Sequence, residues 1–165
     1  MIFYTTMDSS IGRLVIASTN RGLIRIMLPR ENNSDSLARL QEAYPGQSII
    51  EDSDKNRDAV KQLREYFEGT RTLFSLPLEL RGTEFQKSVW RTVARVPYGQ
   101  TKSYGDIARE IRKPKACRAV GAANGANPIP IVIPCHRIIG SDGSMTGFGG
   151  GIPLKEKLLR MEKNT

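Results

Sequence analysis

The only histidine in the chain, His136, directly follows one of its two cysteines, Cys135. Both lie inside the apolar run Ile131-Val132-Ile133-Pro134-Cys135-His136-Arg137-Ile138-Ile139. A thiolate is a strong nucleophile, and an imidazole within reach can take the thiol proton. Apolar surroundings act the other way, raising a thiol pKa and leaving the sulfur inert. Adjacent residues of a regular strand point to opposite faces, so contact between Cys135 and His136 requires a bent backbone or an intervening water. Pro134 offers a place for the bend. Two readings stand at this point: a nucleophile with its base, or a buried structural cysteine beside a surface histidine. Glu162 reads as a solvated carboxylate at a helix end, or as the group that orients His136 in the manner of a triad. Asn127, between Gly125-Ala126 and Pro128, reads as a turn residue, or as a brace for the segment that carries Cys135.

The same counts exclude other chemistry. Two cysteines and one histidine cannot build a disulfide scaffold or a Cys/His zinc site of four ligands. Residues 1–116 contain neither type, so no metal is expected. The Gly-rich stretch Gly147-Phe148-Gly149-Gly150-Gly151 lacks the Lys-Ser/Thr ending of a phosphate loop, which argues against nucleotide cleavage. Such a loop can instead close over a flat ligand with its backbone N–H groups. A cysteine protease normally draws Cys and His from distant parts of the sequence, and here they are neighbours. No apolar run is long enough for a membrane span, and the N-terminus lacks the order of a signal peptide. A soluble, cytoplasmic protein with reduced thiols is expected.

The elements that must position these residues fall into two halves, 1–78 and 79–165. Apolar residues make up 39% of the 165, enough for packed cores. In the first half Ile2–Thr6, Arg13–Ser18 and Gly22–Leu28 read as strands of a small antiparallel sheet. Ser36–Tyr44 and Ser53–Glu68 read as helices, the second with Val60, Leu63 and Phe67 on one face. Thr70–Gly82 reads as an extended linker. In the second half Thr83 caps a helix bearing Phe85, Val89 and Val93, and Ser103 caps a short helix to about Ile111. A polar turn then leads into a helix from Ala116 to Asn124. This pair is a helix-turn-helix candidate, although many helical pairs bind nothing. The second helix is built of small residues and offers Arg118 but few other long polar side chains. That is poor for reading bases in the major groove, as a transcription factor does. It suits close backbone approach, either to another helix or to the floor of a narrow groove. Leu154–Glu162 reads as a final helix with Leu158 and Leu159 inward.

Charge divides along the same line. Residues 1–78 hold 10 basic and 10 acidic side chains, so the whole net charge of +8 lies in residues 79–165. A polyanionic partner for the second half and a merely solvated basic surface both fit this.

Pro134-Cys135-His136-Arg137, preceded by Asn127-Pro128 and followed by the Gly-rich loop and Lys155-Glu156-x-Leu158-Leu159-x-x-Glu162, resembles the O6-alkylguanine-DNA alkyltransferases. The resemblance runs without gaps from about Thr83 to Glu162 and is looser in the first half, at Ser9–Ala17 and Gly22-Leu23. It implies an α/β (α+β) architecture: a small RNase H-like N-terminal domain with an antiparallel sheet, then a mainly helical C-terminal domain with a helix-turn-helix. It implies direct reversal of O6-alkylguanine, with O4-alkylthymine as a second substrate, by irreversible transfer of the alkyl group from a flipped-out base. By this resemblance Cys135 is the alkyl acceptor, His136 the general base acting through a water, Glu162 its orienting carboxylate and Asn127 the brace. Tyr104 lines the base pocket and donates to the guanine. Arg118 fills the gap left by the flipped nucleotide. The backbones of Cys135 and Ile138 accept from the guanine amino group, and the loop at Phe148 and Gly149 forms the lid. The implied partner is double-stranded DNA containing alkylated guanine, met in the minor groove by a monomer. No cofactor, metal, membrane or obligate protein partner is implied. Some members carry Tyr and Ser where this chain has Phe148 and Gly149, which predicts a roomier pocket here. A non-catalytic lesion-binding relative is the nearest alternative, but such proteins lack the acceptor cysteine.

Overall fold

The structure, a computed structural model, describes residues 1–29 and 36–163. The chain divides into two compact units, Met1–Leu80 and Arg81–Thr165.

The first unit is a sheet with helices. β1 (Ile2–Ser9) and β2 (Gly12–Ser18) form a hairpin, β3 (Leu23–Met27) pairs antiparallel with β2, and β4 (Ile49–Glu51) joins the other edge, giving the order β3-β2-β1-β4. Alternation along β1 buries Phe3, Thr5 and Met7 on one face, while Ile2 is buried on the other. The three expected strands pair antiparallel, and β4, which the sequence does not signal, adds a parallel edge beside β1. Three residues without period-2 alternation are too short a segment to read as a strand, and only pairing to Ile2–Tyr4 makes them one. Leu40 of α1 (Ser36–Ala43) packs with Ile2, Ala17 and Ile24. A 3-10 turn, Asp54–Asn56, precedes α2 (Arg57–Phe67). The buried stripe of α2 is Ala59, Gln62, Leu63 and Tyr66, so the inward face is turned from the expected Val60-Leu63-Phe67. Gln62 is drawn in because its amide both donates to and accepts from Ser75. Nor is Thr70–Gly82 a free linker. Leu23 N donates to Pro77 O and Glu79 N to Leu23 O, both at 2.9 Å, so the segment is stitched to β3.

The second unit is mostly helical. α3 (Glu84–Val93) starts at a capping box in which Thr83 and Gln86 satisfy each other's backbone N–H groups. Ser103 and Asp106 do the same for α4 (Tyr104–Glu110). α5 (Cys117–Gly125) follows a turn in which Arg112 takes φ 62°. Trp90 of α3 buries its ring and donates Nε1–H to Ala123 O of α5 at 2.8 Å, which locks the two helices together. β5 (Lys102–Ser103) and β6 (Ile138–Ile139) form a short parallel pair. α6 (Ile152–Lys163) closes the chain. Its inward face is Lys155, Leu158 and Glu162, with Leu159 only half-buried. Among the described residues no helix is long and apolar enough to cross a membrane.

Candidate active site

Cys135, His136 and Arg137 form a single 3-10 turn entered through Pro134. The turn supplies the bend that a strand would not, and all three side chains are buried. The approach is tightly laced. Asn127 Nδ2 donates to Ile133 O at 2.8 Å while its Oδ1 accepts from Ile129 N at 3.0 Å. Asn124 Nδ2 donates to Cys135 O at 3.2 Å. Between these braces Ile131 sits at φ 76°, a left-handed conformation that a β-branched residue adopts only under constraint.

Behind the turn lies a buried charge network. His136 Nε2 and Glu162 Oε2 are 2.6 Å apart, and both side chains are excluded from solvent. Arg137 grips the same carboxylate with one edge of its guanidinium, Nε to Oε1 at 2.8 Å and Nη2 to Oε2 at 3.0 Å. Its Nη1 donates to Val96 O at 2.8 Å, and its guanidinium lies 5.6 Å from the Tyr98 ring centroid. A carboxylate held by an arginine fork stays ionised and only accepts hydrogen bonds. His136 Nε2 therefore carries the hydrogen, and Nδ1 is left as a bare lone pair. That Nδ1 is buried with no hydrogen-bond partner among the described residues.

Electrostatics place both protons at rest. Burial pushes the Cys135 thiol up to about 11, against the opposing effects of the Asn127 hydrogen bond and the Lys155 charge. Burial also lowers His136 below the ordinary imidazole value, more than Glu162 raises it. The resting pair is thiol and neutral imidazole. The nucleophile is not a standing thiolate, so it needs a base at the moment of reaction.

The remaining candidates fall in different places. Tyr104 opens α4, and its hydroxyl donates to Thr146 O at 2.9 Å, at the foot of the Gly-rich loop. Ile138 is buried, and its carbonyl accepts from Lys155 Nζ at 2.6 Å. A carbonyl oxygen has two lone pairs, and those of Cys135 O are both taken, by Asn124 Nδ2 and by the Ile138 backbone N–H. Phe148 is buried and Gly149 exposed. Arg118 stands on the exposed face of α5, outside the buried network, beside the exposed thiol of Cys117. Among the described residues no group of three His, Cys, Asp or Glu side chains could hold a metal ion.

Three residues carry structural weight that the sequence reading did not assign: Arg137, Lys155 and Asn124. Lys155 is fully buried, with Nζ bound to Ile138 O and, at 2.7 Å, to Thr146 O. The available signal was helical spacing. Lys155 and Glu162 share the face of Leu158, and charged residues on an inward stripe need buried partners.

Residues 84–164 match the family of the 6-O-methylguanine DNA methyltransferase DNA binding domain. Residues 2–80 match its ribonuclease-like domain. The chain is 46% identical over 148 residues to the inducible methylated-DNA–protein-cysteine methyltransferase of Bacillus subtilis, covering 90% of this chain and 83% of that protein. It is 45% identical to the corresponding protein of Mycolicibacterium paratuberculosis, covering 99% and 93%. Among solved structures, that of the Mycobacterium tuberculosis O6-methylguanine methyltransferase superposes with a TM-score of 0.86 at 43% identity, covering 99% and 94%. The Mycobacterium tuberculosis OGT in complex with DNA gives 0.86 at 42% identity, covering 98% and 93%.

Proposed function

The chain belongs to the 6-O-methylguanine DNA methyltransferase family, DNA-binding repair proteins that transfer a methyl group to a cysteine, and from that premise we propose that Cys135 Sγ is the alkyl acceptor for O6-alkylguanine in duplex DNA. The observation that carries this assignment is the buried relay that ends at His136 Nδ1, an unpartnered base one residue from the only buried thiol.

The Cys135 proton passes to His136 Nδ1 across one water, and Glu162 steadies the imidazolium that forms. The thiolate attacks the alkyl carbon, an S–C bond forms and the C–O6 bond breaks. Guanine leaves with a proton at N1, returned through the relay, and the Tyr104 hydroxyl turns from Thr146 O to donate a hydrogen bond to the departing base. The product is a thioether with no easy leaving group, so each molecule acts once. No step calls for a metal or cofactor. Asn127 and Asn124 hold the acceptor turn in place.

A lesion inside a duplex must be extruded before it can reach a buried sulfur, at a cost of a few kcal/mol. The small residues of α5 suit an approach along the minor groove, and exposed Arg118 suits the space the nucleotide vacates. The basic second half, residues 79–165, supplies phosphate contacts, and the first, residues 1–78, forms the ribonuclease-like domain. The protein works as a monomer in the cytoplasm.

The test is peptide mass spectrometry after mixing the protein with excess duplex containing O6-methylguanine. One methyl on the Cys135 peptide, saturating at one equivalent, is expected. Lesion-dependent binding with Cys135 left as a thiol would overturn the acceptor assignment in favour of damage recognition alone.

A further inference from the structure

Lys155 is fully buried, yet no carboxylate pairs with it among the described residues. Its ammonium has three hydrogens, and two go to backbone carbonyls, Ile138 O at 2.6 Å and Thr146 O at 2.7 Å. Arg137, the other buried cation of this region, is neutralised by the Glu162 carboxylate through two N–H bonds. The cluster formed by Cys135, His136, Arg137, Lys155 and Glu162 therefore holds one more positive charge than negative while the thiol is protonated. A buried ammonium without a counter-ion is costly, and a neutral residue would bridge two carbonyls without that cost. Ile138 lies three residues beyond Cys135 on the same short segment, so the ammonium is anchored at the acceptor turn.

Resting on the reading that Cys135 is the acceptor, we infer that Lys155 is a positioning residue whose buried charge is the counter-ion of the Cys135 thiolate during transfer. When the Cys135 proton moves to His136, Glu162 holds the imidazolium and the ammonium faces the new negative charge on sulfur, so the Lys155 charge favours the reacting state over the resting one. The mutual effect is visible in both groups: the Lys155 charge favours the thiolate, and the thiolate favours the ammonium. The other ionisable groups around the pair are His136, Arg137 and Glu162, with the Tyr104 ring centroid 5.9 Å from Nζ. The same ammonium ties the acceptor turn to the lid, because Thr146 O also accepts from Tyr104.

The experiment is single-turnover methyl transfer from duplex O6-methylguanine, followed by peptide mass spectrometry across the pH range, for the unsubstituted protein, Lys155→Met and Lys155→Gln. Gln keeps two N–H donors for the two carbonyls but no charge. Both variants are expected to slow about tenfold near neutral pH, with the pH dependence displaced upward by about one unit, since one unit is a tenfold population change. The gap should close in alkali, where the thiolate forms without help. A loss equal at every pH, or a Gln variant that matches the unsubstituted protein, would overturn the inference and make Lys155 a hydrogen-bonding staple. If neither variant folds, the Lys155 13Cε resonance of the unsubstituted protein is titrated before and after methylation of Cys135. Methylation is expected to lower the ammonium pKa, and an unchanged titration would overturn the inference. Failure of the unsubstituted protein to methylate Cys135 would instead overturn the acceptor assignment.

Discussion

Glu162→Gln separates the two jobs of one carboxylate. In the folded protein Glu162 receives two N–H groups of Arg137, at 2.8 and 3.0 Å, and faces His136 at 2.6 Å, with the Arg137 side chain 6% exposed and its own 1% exposed. Solvent screening is nearly absent there. Removing one partner of such a pair leaves the other buried and uncompensated, at a cost of about 3–5 kcal/mol. For a chain of this size that corresponds to a fall in Tm of roughly 6–20 °C. Removing both charges, as in Arg137→Met with Glu162→Gln, leaves no buried orphan. The double variant should lose less than the sum of the singles, by about 1–3 kcal/mol. Activity should follow a different course. Without the carboxylate His136 loses the group that stabilises its protonated form, and general-base assistance is typically worth about 10²–10⁴ in rate. Transfer should therefore fall at least about 10²-fold in Glu162→Gln and stay low in the double variant, measured well below each melting point. Chemical denaturation gives the stabilities, and single-turnover transfer from duplex O6-methylguanine gives the rates. A double variant that recovers rate along with stability would refute the division of roles. So would a Glu162→Gln protein that melts within about 1 kcal/mol of the original.

Other substitutions probe the rest of the site. Cys135→Ala should abolish transfer while leaving the affinity for lesion-containing duplex within a few-fold, as read by fluorescence anisotropy. Because Cys135 titrates at about 11 in the folded chain against 9.0 for an ordinary thiol, the unfolded state loses its proton first and stability falls as pH rises through that window. The expected loss is up to about 3 kcal/mol, and it should be missing in Cys135→Ala, whereas Lys155, lowered by burial, acts with the opposite sign in both proteins. At the acid end His136 is held neutral by burial, so stability should decline as pH falls below about 6.5, where the unfolded imidazole takes up a proton. Arg118→Ala should slow repair of duplex substrate far more than reaction with free O6-benzylguanine, and equal losses on both would remove the case for a side chain that fills the vacated stack.

The helices that carry the site could be read locally. Thr83 with Gln86 and Ser103 with Asp106 are three apart, so each pair closes its capping box without tertiary help. The small residues of α5, the basic second half and the adjacent Cys135 and His136 are likewise properties of short stretches. The relay is different in kind. Glu162 lies 26 residues from His136 and 25 from Arg137, and Lys155 reaches back 17 residues to Ile138. Composition reads lysine, arginine and glutamate as surface, because an isolated charge belongs in water. Only the folded arrangement brings the compensating groups to one place, and so only it decides that these charges are interior. The same holds in the first unit. Ile49–Glu51 becomes a strand through its pairing with β1, and the 70–82 stretch is tied down by the free backbone groups of Leu23. Local chemistry in the sequence therefore determined which residues can react and which segments are helical. The tertiary structure decided which charges are buried together, because burial is a relation between distant segments and the protonation states follow from it.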